Sequence, residues 1–586
     1  MGINMDIYKQ FTDRVQLTSI DLSARLPFAD NINAYKQWKN DLPILDTYAC
    51  IHSLADVSQA LLGPQLDSNI KFELSCEAQI CLNELLSNYK GTLKGANFPL
   101  RKQQAEISNE LLKTISFFSD VYIQLIGVMG TKETGLLKKN DQKSTLPPIQ
   151  TDLLIFKAME LLAKKQLLMS LIYQSPQANF WNTVNALYSL AESLNVQKNE
   201  QQPFDIESTS SIASEFKKIH LFNLAGVNRF RRGDIKQIQR ILVLQTKNIA
   251  INSAPEAAST FFIDLASSTP ISYASENPDT NNTTRYLNTE PLIRFMLSDE
   301  ALAHEQHGAV SLISDKPRLI KKTIHRLIPN WSAQPNRESS RHTQQEEVLI
   351  YPGFDSIIKA LVAIANPQVK EKSSKPEKAS FNVSELSLIP MDDNHQHQHT
   401  VRNDNIINTA LKRTAENSTS SKSIWAKEHQ HKFGEKGNKM SAEVKDSSLH
   451  GLNFKVTADN EPLLRVTDLI GIQIGNETLQ LAIIRRMNKL GCGDVSVGVE
   501  MLSPNLKIAS FRSLKEESTV KPVIFLQGIS SIHQADAIIV PFMIENKNVE
   551  ILLKVNKQTS SFSIDKTLET NRVFSHYTVL KNAEVD

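Results

Sequence analysis

The sequence predicts a multidomain α+β protein. It has a mostly α-helical N-terminal half, then an antiparallel β-barrel that a long low-complexity insertion interrupts, then a C-terminal β unit. At 586 residues the chain is too long for a single hydrophobic core. Apolar residues recur at intervals of three and four through the first half, which indicates amphipathic helices. From about residue 441 the apolar period becomes two, which indicates strands. Between these regions large apolar residues become rare.

The helical prediction covers residues 1–325. It depends on runs such as 151–174, in which apolar residues fall three and four positions apart. In another run Trp181, Val184 and Tyr188 share one face, a spacing similar to the start of a tetratricopeptide unit. No recurrence of about 34 residues follows. A plain helical bundle is therefore favoured, with a tetratricopeptide-like array as the alternative.

The second half of the chain is predicted to be β-structure with one interruption. Residues 326–515 are assigned to a barrel, and a segment rich in Lys, Glu, Ser, Asn and His interrupts it at about 367–440. With so few large apolar residues, the segment buries too little apolar surface to offset the conformational entropy that it would lose on folding. It is therefore predicted to be disordered. Its HQHQH tract, 395–399, is of a metal-binding type, but adventitious binding is favoured over a defined site. A separate β unit is predicted over 516–586, and the loosened pattern at 260–274 fits either a strand or an extended loop.

Charge gives little support for a polyelectrolyte partner. The net charge is +2 at pH 7, so any anion site must be local. A basic cluster, NRFRRGDIKQIQR at 228–240, is compatible with contact to nucleic acid. A solvated helix start is the favoured interpretation, because charge runs on helices usually face water. No nucleic-acid partner is predicted.

The sequence predicts a cytoplasmic protein without a transmembrane segment. The most apolar run, 115–130, contains Asp120 and is too short to span a bilayer, which indicates a core helix. The first 14 residues lack the basic-then-apolar layout of a signal peptide. The four cysteines show neither zinc spacing nor a disulfide framework, as is typical of reduced thiols.

Two arginines precede the first predicted strand of the barrel. Arg337 and Arg341 lie in PNRESSRHTQQEEVLIYPGF, residues 335–354, and the strand EEVLIY follows them. Guanidinium is a planar fork that bonds phosphate oxygens, or guanine O6 and N7, in bidentate fashion and stacks on purine rings. Taken alone, two arginines at this spacing are more typical of a solvated surface pair.

A second motif interrupts the strand-like alternation of VKDSSLHGLNFKV, residues 444–456. Asp446, Ser448 and Gly451 stand at fixed offsets inside the interruption. An Asp–Ser turn in an ordinary barrel accounts for the residue types, but it does not require this spacing. Further along, the run at 479–504 reads as a hairpin that ends in VGVEML.

Together these segments resemble the PilZ domain, the bacterial receptor module for cyclic di-GMP. Arg337 and Arg341 match the R-x-x-x-R of that family, which stands just ahead of its first barrel strand. Asp446, Ser448 and Gly451 match its [D/N]-x-S-x-x-G, which lies between two later strands. The VGVEML run is similar to the closing hairpin of PilZ domains.

The resemblance implies a site for cyclic di-GMP, a ligand with two phosphates and two guanines. The two arginines, on a flexible arm, would clamp the ligand against the barrel. Asp446 would accept hydrogen bonds from guanine N–H groups, and Ser448 would bond to a base or a phosphate. Gly451 would allow close approach of the backbone, or a positive φ where the turn re-enters a strand.

The chain departs from the family pattern at two points. Arg341 and Asp446 stand 105 residues apart, so the insertion must loop out of the barrel. Such a loop is tolerable because the cost of loop closure grows only logarithmically with length. Asn336 stands where many members have a further Arg, which puts affinity and ligand stoichiometry in question. The alternative function is a non-enzymatic scaffold whose degenerate barrel does not bind nucleotide.

As a whole, the chain resembles the large bacterial cyclic di-GMP receptors of the FimW type. That resemblance implies an effector in surface attachment or type IV pilus motility, with a protein partner on the helical half.

No G-x-x-x-x-G-K-[ST], H-E-x-x-H, G-x-S-x-G or G-G-D-E-F motif is present, so neither an enzyme nor a cofactor is predicted. EAL at 300–302 lacks the Arg of the phosphodiesterase signature. An unrecognised enzyme within residues 1–325 stays open, and a concave pocket of perturbed acids or histidines would favour it.

Overall fold

The computed structural model describes most of the chain, and its gaps include one long segment. Outside the described residues lie 1, 19–20, 22, 44–45, 65, 132–149, 204–208, 257–258, 275–280, 303–304, 307–308, 311–318, 333–341, 344–345, 366–438, 449–450, 462, 476–477, 504, 514–519, 529–533, 545–548, 556–557, 572 and 583–586. The predicted disordered segment and its HQHQH tract fall almost wholly in the gap at 366–438. Arg337 and Arg341 fall in the gap at 333–341.

The helices dominate the first part of the chain, as the sequence predicts. They are α1 (Gly2–Arg14), α2 (Ile32–Asn40), α3 (Thr47–Leu62), α4 (Ser68–Thr92), α5 (Lys102–Thr131), α6 (Thr151–Leu171), α7 (Ala178–Ser193), α8 (Ile212–Leu224), α9 (Arg232–Gln245), α10 (Glu290–Leu297), α11 (Lys321–Ser332) and α12 (Gly353–Ala365).

The strands dominate the second part of the chain. They are β1 (Glu200–Gln201), β2 (Ser210–Ser211), β3 (Ile251–Asn252), β4 (Phe261–Asp264), β5 (Ser272–Tyr273), β6 (Thr284–Leu287), β7 (Glu305–Gln306), β8 (Ala309–Val310), β9 (His342–Thr343), β10 (Glu347–Pro352), β11 (Met440–Ser448), β12 (Gly451–Val456), β13 (Leu469–Ile474), β14 (Gln480–Lys489), β15 (Val495–Ser503), β16 (Leu506–Ser513), β17 (Lys521–Leu526), β18 (Ala537–Val540), β19 (Glu550–Val555), β20 (Gln558–Thr570) and β21 (Ser575–Lys581). The predicted fold class, helical then β, is confirmed.

The described residues form two compact units. The first contains those of 1–350 and 440–504, and the second contains those of 351–365, 439 and 505–582. Within the first unit, α6 is buried on all sides and packs against α5, α7, α8 and α9. Helix α1 packs against both α5 and α7, which are distant in sequence. A tetratricopeptide array would pair neighbours in the chain, so this packing is that of a bundle.

The bundle buries the face that the sequence predicts for α7. Trp181, Val184 and Tyr188 are all at most 4% exposed, and the Tyr188 ring stacks on Phe216 of α8 with centroids 3.9 Å apart.

The segment at 260–274, which the sequence left open between a strand and an extended loop, contains two strands. Strands β4 and β5 join β3 and β6 in a four-stranded sheet of order β3-β6-β4-β5.

The second half of the first unit is a β-barrel. Its strand order is β10-β13-β14-β15-β12-β11-β9, and β10 also pairs with β11, which closes the sheet. Buried residues alternate along β12, where Leu452, Phe454 and Val456 point inward. Their side chains belong to the same continuous apolar core as the helical bundle. The helical half and this barrel therefore form one packed body.

The basic cluster at 228–240 lies at the junction between bundle and barrel. Arg231 donates to the Val466 carbonyl (3.1 Å) and to Asp468 Oδ1 (3.2 Å) in the barrel. Arg232, only 8% exposed, donates to the carbonyls of Leu171 and Leu93. The prediction of a solvated helix start is therefore wrong. Tertiary partners, which periodicity alone cannot reveal, bury the start of α9.

The junction also contains direct backbone pairing. Phe98 and Leu464 exchange backbone hydrogen bonds of 2.9 and 3.0 Å, and the Arg232 guanidinium lies 4.7 Å from the centre of the Phe98 ring. On the other side, the Lys489 amide donates to the Tyr173 carbonyl at 2.7 Å. Hydrogen bonds to backbone groups that would otherwise be buried unpaired hold the two parts in one orientation.

Helix α5 corresponds to the most apolar run of the sequence. Among the described residues it is the one helix long and apolar enough to cross a membrane, over Lys102–Gly130. However, 72% of its most apolar 18-residue window is buried inside the protein. Burial by the neighbouring helices, rather than insufficient length, thus marks α5 as a core helix.

The second unit contains α12 and a closed barrel of order β16-β17-β18-β21-β20-β19. Its separate apolar core includes Phe511, Phe525 and Phe562. Strand β16 pairs with both β17 and β19. The barrel therefore begins at Leu506, and the boundary expected at 515–516 falls after its first strand.

The pH dependence of unfolding is expected to include a contribution from Asp468. Burial raises the pKa of its carboxyl from an ordinary 3.8 to about 6, against the opposing charges of Arg231 and Arg465. A carboxyl whose pKa is higher in the folded state contributes stability in full below pH about 4, and that stability is lost as pH rises through about 6. Urea unfolding across this window should show the wild-type free energy falling by about 1–3 kcal/mol relative to Asp468→Asn. If the free energy of unfolding changed with pH in the same way in both proteins, the raised pKa of Asp468 would be contradicted.

Candidate functional site

A β-bulge turns Asp446 to the outer face of the first barrel. Val444, which is fully buried, pairs with Phe454, and the next pair is Asp446 with Asn453, so Lys445 is the extra residue. In a regular ladder Asp446 would follow Met440, Ala442 and Val444 into the core. The bulge changes the phase by one residue and turns the carboxylate outward. The interruption seen in the sequence is this change of phase.

A chain of hydrogen bonds holds the Asp446 carboxylate on that face. Asn453 Nδ2 donates to Asp446 Oδ2 at 2.8 Å. The Asn453 amide is in turn fixed by Ser496, whose Oγ donates to Asn453 Oδ1 at 2.8 Å. The three residues stand on the adjacent strands β11, β12 and β15. These bonds fix the orientation of the Asp446 carboxylate, whose oxygens accept hydrogen bonds.

Ser448 and Gly451 face each other where β11 ends and β12 begins. They are directly paired, and Ser448 Oγ donates to the Gly451 carbonyl at 3.3 Å. A Cβ on Gly451 would lie 3.0 Å from the Val499 carbonyl oxygen and 3.4 Å from Ser448 Oγ. The φ of Gly451 is not in the left-handed region. Of the two reasons for a glycine here, the structure supports close approach of the backbone.

Strand β9 lies beside this hairpin. Thr343 pairs with Asp446 and His342 pairs with Ser447, so β9 covers the outer edge of β11 where the motif begins. Arg341 immediately precedes His342 in the sequence, although both motif arginines lie outside the described residues. The structure thus brings Asp446, Ser448 and Gly451 together and leaves the contacts of the arginines as a prediction.

One transverse row of the sheet crosses the site. Its members pair in register on β9, β11, β12, β15 and β14, in the order Thr343, Asp446, Asn453, Gly498 and Arg486. Sequence reasoning did not identify the last three members. The spacing of two residues between Gly451 and Asn453 indicates a common face, but the partners on β14 and β15 require the register.

Ion pairs surround the row on the same strands and at the residue just before β15. The pairs are Glu443–Lys445 (2.6 Å), Lys455–Asp494 (2.7 Å) and Arg485–Glu500 (2.5 Å). The hydrogen bond from Lys455 lowers the pKa of Asp494 below its usual range and raises the pKa of the lysine. Asp494 also accepts from the Ala458 amide at 3.0 Å. This supports a structural role for the DVSVG run at 494–498.

Comparison with protein families matches most of the chain to one kind of receptor. The model described as the N-terminal domain of the cyclic-di-GMP receptor FimW matches residues 33–256. The model described as the middle PilZ domain of the same receptor matches residues 260–507. The chain belongs to the FimW-type family of cyclic di-GMP receptors. The predicted resemblance to PilZ domains and to FimW-type receptors is confirmed.

The FimW-type matches extend across both parts of the first unit. The PilZ model begins at residue 260, before β4, and so includes three strands of the small sheet (β4, β5 and β6), α10 and α11 as well as the barrel. It ends at residue 507, where the second barrel begins. No curated protein matches the chain, and no solved structure matches it.

Packing at Gly451 generates a stability prediction for this FimW-type barrel. Gly451→Ala is expected to lower the free energy of unfolding by about 1–3 kcal/mol, because the new methyl group presses on the Val499 carbonyl. Gly491→Ala is the matched control in the same barrel, since a Cβ there has nothing within 4 Å. Urea unfolding of both variants measures the difference. Equal stabilities would show that β12 and β15 can separate without cost.

Proposed function

We propose that this chain binds cyclic di-GMP on the outer face of its first barrel and is a receptor rather than an enzyme. The proposed ligand-binding residues are Arg337, Arg341, Asp446, Ser448 and Gly451. The observation that carries the proposal is the bulge at Lys445, which turns Asp446 outward beside the strand that continues the arginine segment. Membership in the FimW-type family supports the same ligand.

Each proposed residue offers chemistry that the ligand needs. The Asp446 carboxylate accepts from guanine N–H groups, and Asn453 keeps it in position. Ser448 exchanges its weak 3.3 Å bond to the Gly451 carbonyl for a bond to the ligand. The close packing at Gly451 leaves no room there for a larger side chain. Arg337 and Arg341 supply charge for the two phosphates and planar surface for the guanines.

The segment that carries the arginines is anchored at both ends within one packed unit. On its N-terminal side, Trp331 is fully buried and its Nε1 donates to the Leu221 carbonyl in α8 at 3.1 Å. Neighbouring Asn330 donates to the Ala225 carbonyl at 2.8 Å. On its C-terminal side, β9 pairs with β11. A ligand that binds this segment would therefore act on the helical bundle through α11 as well as on the barrel.

The proposed output is a population shift without separation of the two parts. Because bundle and barrel share one core, a free swing of the helical half would break many buried contacts. Ligand binding instead favours one arrangement of α11 and the adjoining bundle surface, and a protein partner reads that surface. The proposed setting is the cytoplasm, in surface attachment or type IV pilus motility, and no cofactor is required. The second candidate is a scaffold that does not bind nucleotide, for which the mismatch at Asn336 is the supporting observation.

Calorimetric titration with cyclic di-GMP tests the binding site. Arg341→Ala and Asp446→Ala should each weaken binding by roughly 10- to 150-fold, because each removes hydrogen bonds to a charged group. Arg294→Ala, which alters an exposed ion pair in α10, is the matched control and should bind as wild type. GTP and cyclic di-AMP should bind poorly.

Two results would contradict the binding-site assignment in different ways. Wild-type affinity in both site variants would put the ligand elsewhere on the chain. No binding by the folded wild-type protein would favour the scaffold.

Hydrogen exchange measured by mass spectrometry tests the output. Saturating cyclic di-GMP should slow amide exchange in α11 and in β9, because both elements adjoin the arginine segment. Arg341→Ala should remove the effect at the same ligand concentration. Slowing confined to residues 440–456 would show that the ligand does not influence the bundle.

A further inference from the structure

Arg486 occupies an unusual position on the outer face of the first barrel. It stands on β14, directly opposite Gly498 of β15. The position of a Gly498 Cβ would lie 2.6 Å from Arg486 Nε and 2.7 Å from its Cγ. Any other residue type at 498 would require the Arg486 side chain to move from this position. The arginine therefore runs across the sheet over Gly498, which is buried although it stands on the outward-facing row.

The path of this side chain leads toward the proposed ligand site. Gly498 pairs on its other side with Asn453, and Asn453 hydrogen-bonds Asp446. Adjacent strands are about 4.8 Å apart, so a guanidinium lying over β15 is roughly one strand from Asn453. The Asp446 carboxylate on β11 and the Arg486 guanidinium, which extends from β14 over β15, therefore lie on the same face with Asn453 between them.

We infer that Arg486 contacts a guanine base of the bound cyclic dinucleotide and contributes to selection of guanine over adenine. This inference rests on the proposed function. A guanine that donates N1–H and N2–H to Asp446 turns O6 and N7 toward donors on the same face, and these are the acceptors that arginine bonds bidentately. Adenine presents an amino group in place of O6 and no N1–H, so it loses bonds at both ends.

The neighbouring arginine shows why the position matters more than the charge. Arg485 is the extra residue of a bulge between Ile484 and Arg486, and its Nε donates to Glu500 at 2.5 Å. It stands outside the row of Asp446. Arg485→Ala is therefore a matched control that removes an equal charge one residue away.

The experiment is calorimetric titration of the full chain with cyclic di-GMP and cyclic di-AMP. Arg486→Ala should weaken cyclic di-GMP binding about 5- to 150-fold while cyclic di-AMP binding changes little, so the preference for guanine falls. Arg486→Lys should restore only part of the loss, because ammonium lacks the planar fork. Gly498→Ala should reproduce the loss with Arg486 still present, since the new methyl group displaces its side chain. Arg485→Ala should bind as wild type.

The outcomes separate this inference from the proposed function. Wild-type affinity and selectivity in Arg486→Ala, with binding lost in Asp446→Ala, overturns the role of Arg486 alone. An equal loss for both dinucleotides in Arg486→Ala overturns the guanine contact. No binding by the wild-type chain overturns the proposed function and this inference with it. Circular dichroism and thermal unfolding establish that each variant is folded.

Discussion

The antiparallel pairing of β10 with β11 is the constraint on which the first barrel depends. Residues 347–350 pair with residues 440–443, and this pairing closes the sheet. The chain between the paired strands includes the long segment outside the described residues. Each doubling of a flexible loop adds only about 0.6 kcal/mol to the cost of closure, so a long insertion is compatible with a closed barrel. An insertion at this point separates the arginine motif from the motif of Asp446, Ser448 and Gly451 in sequence. Strands β9 and β11 nevertheless stay paired in space.

Much of this organisation could be predicted from the sequence, because it follows from local pattern. Periods of three to four and of two identify the bundle and the barrels, and the fixed offsets of Asp446, Ser448 and Gly451 identify the interruption in β11. The physical reason for the interruption is different from a turn alone. Lys445 is an added residue that inverts the alternation of inward and outward side chains along β11. In the sequence this appears as apolar residues at 440, 442 and 444 followed by a polar Asp446.

What could not be predicted depends on register and on tertiary partners. Arg486 and Gly498 are twelve positions apart, and nothing in their spacing indicates that one side chain covers the other. The arginines at 231 and 232 have the composition of a solvated helix start, yet carbonyls from distant segments bury Arg232. Local charge patterns describe which groups are present. They do not describe which buried acceptors lie nearby and offset the cost of desolvation.

The junction at Arg231 and Arg232 also limits how the proposed ligand signal would pass from the barrel to the bundle. Phe98 and Leu464 pair through their backbones, and Arg231 bonds the barrel at two points, so the bundle and the barrel cannot shift independently without leaving polar groups unpaired. The element that changes its arrangement in the proposed output must therefore be smaller than the bundle or the barrel. In the proposed output this element is helix α11, because the residues that follow it lead to β9. Its last turn is joined to the bundle through Asn330, which donates to the Ala225 carbonyl, and Trp331, which donates to the Leu221 carbonyl of α8. Under that proposal, small shifts in α11 would change a surface on the bundle while the common core stays intact.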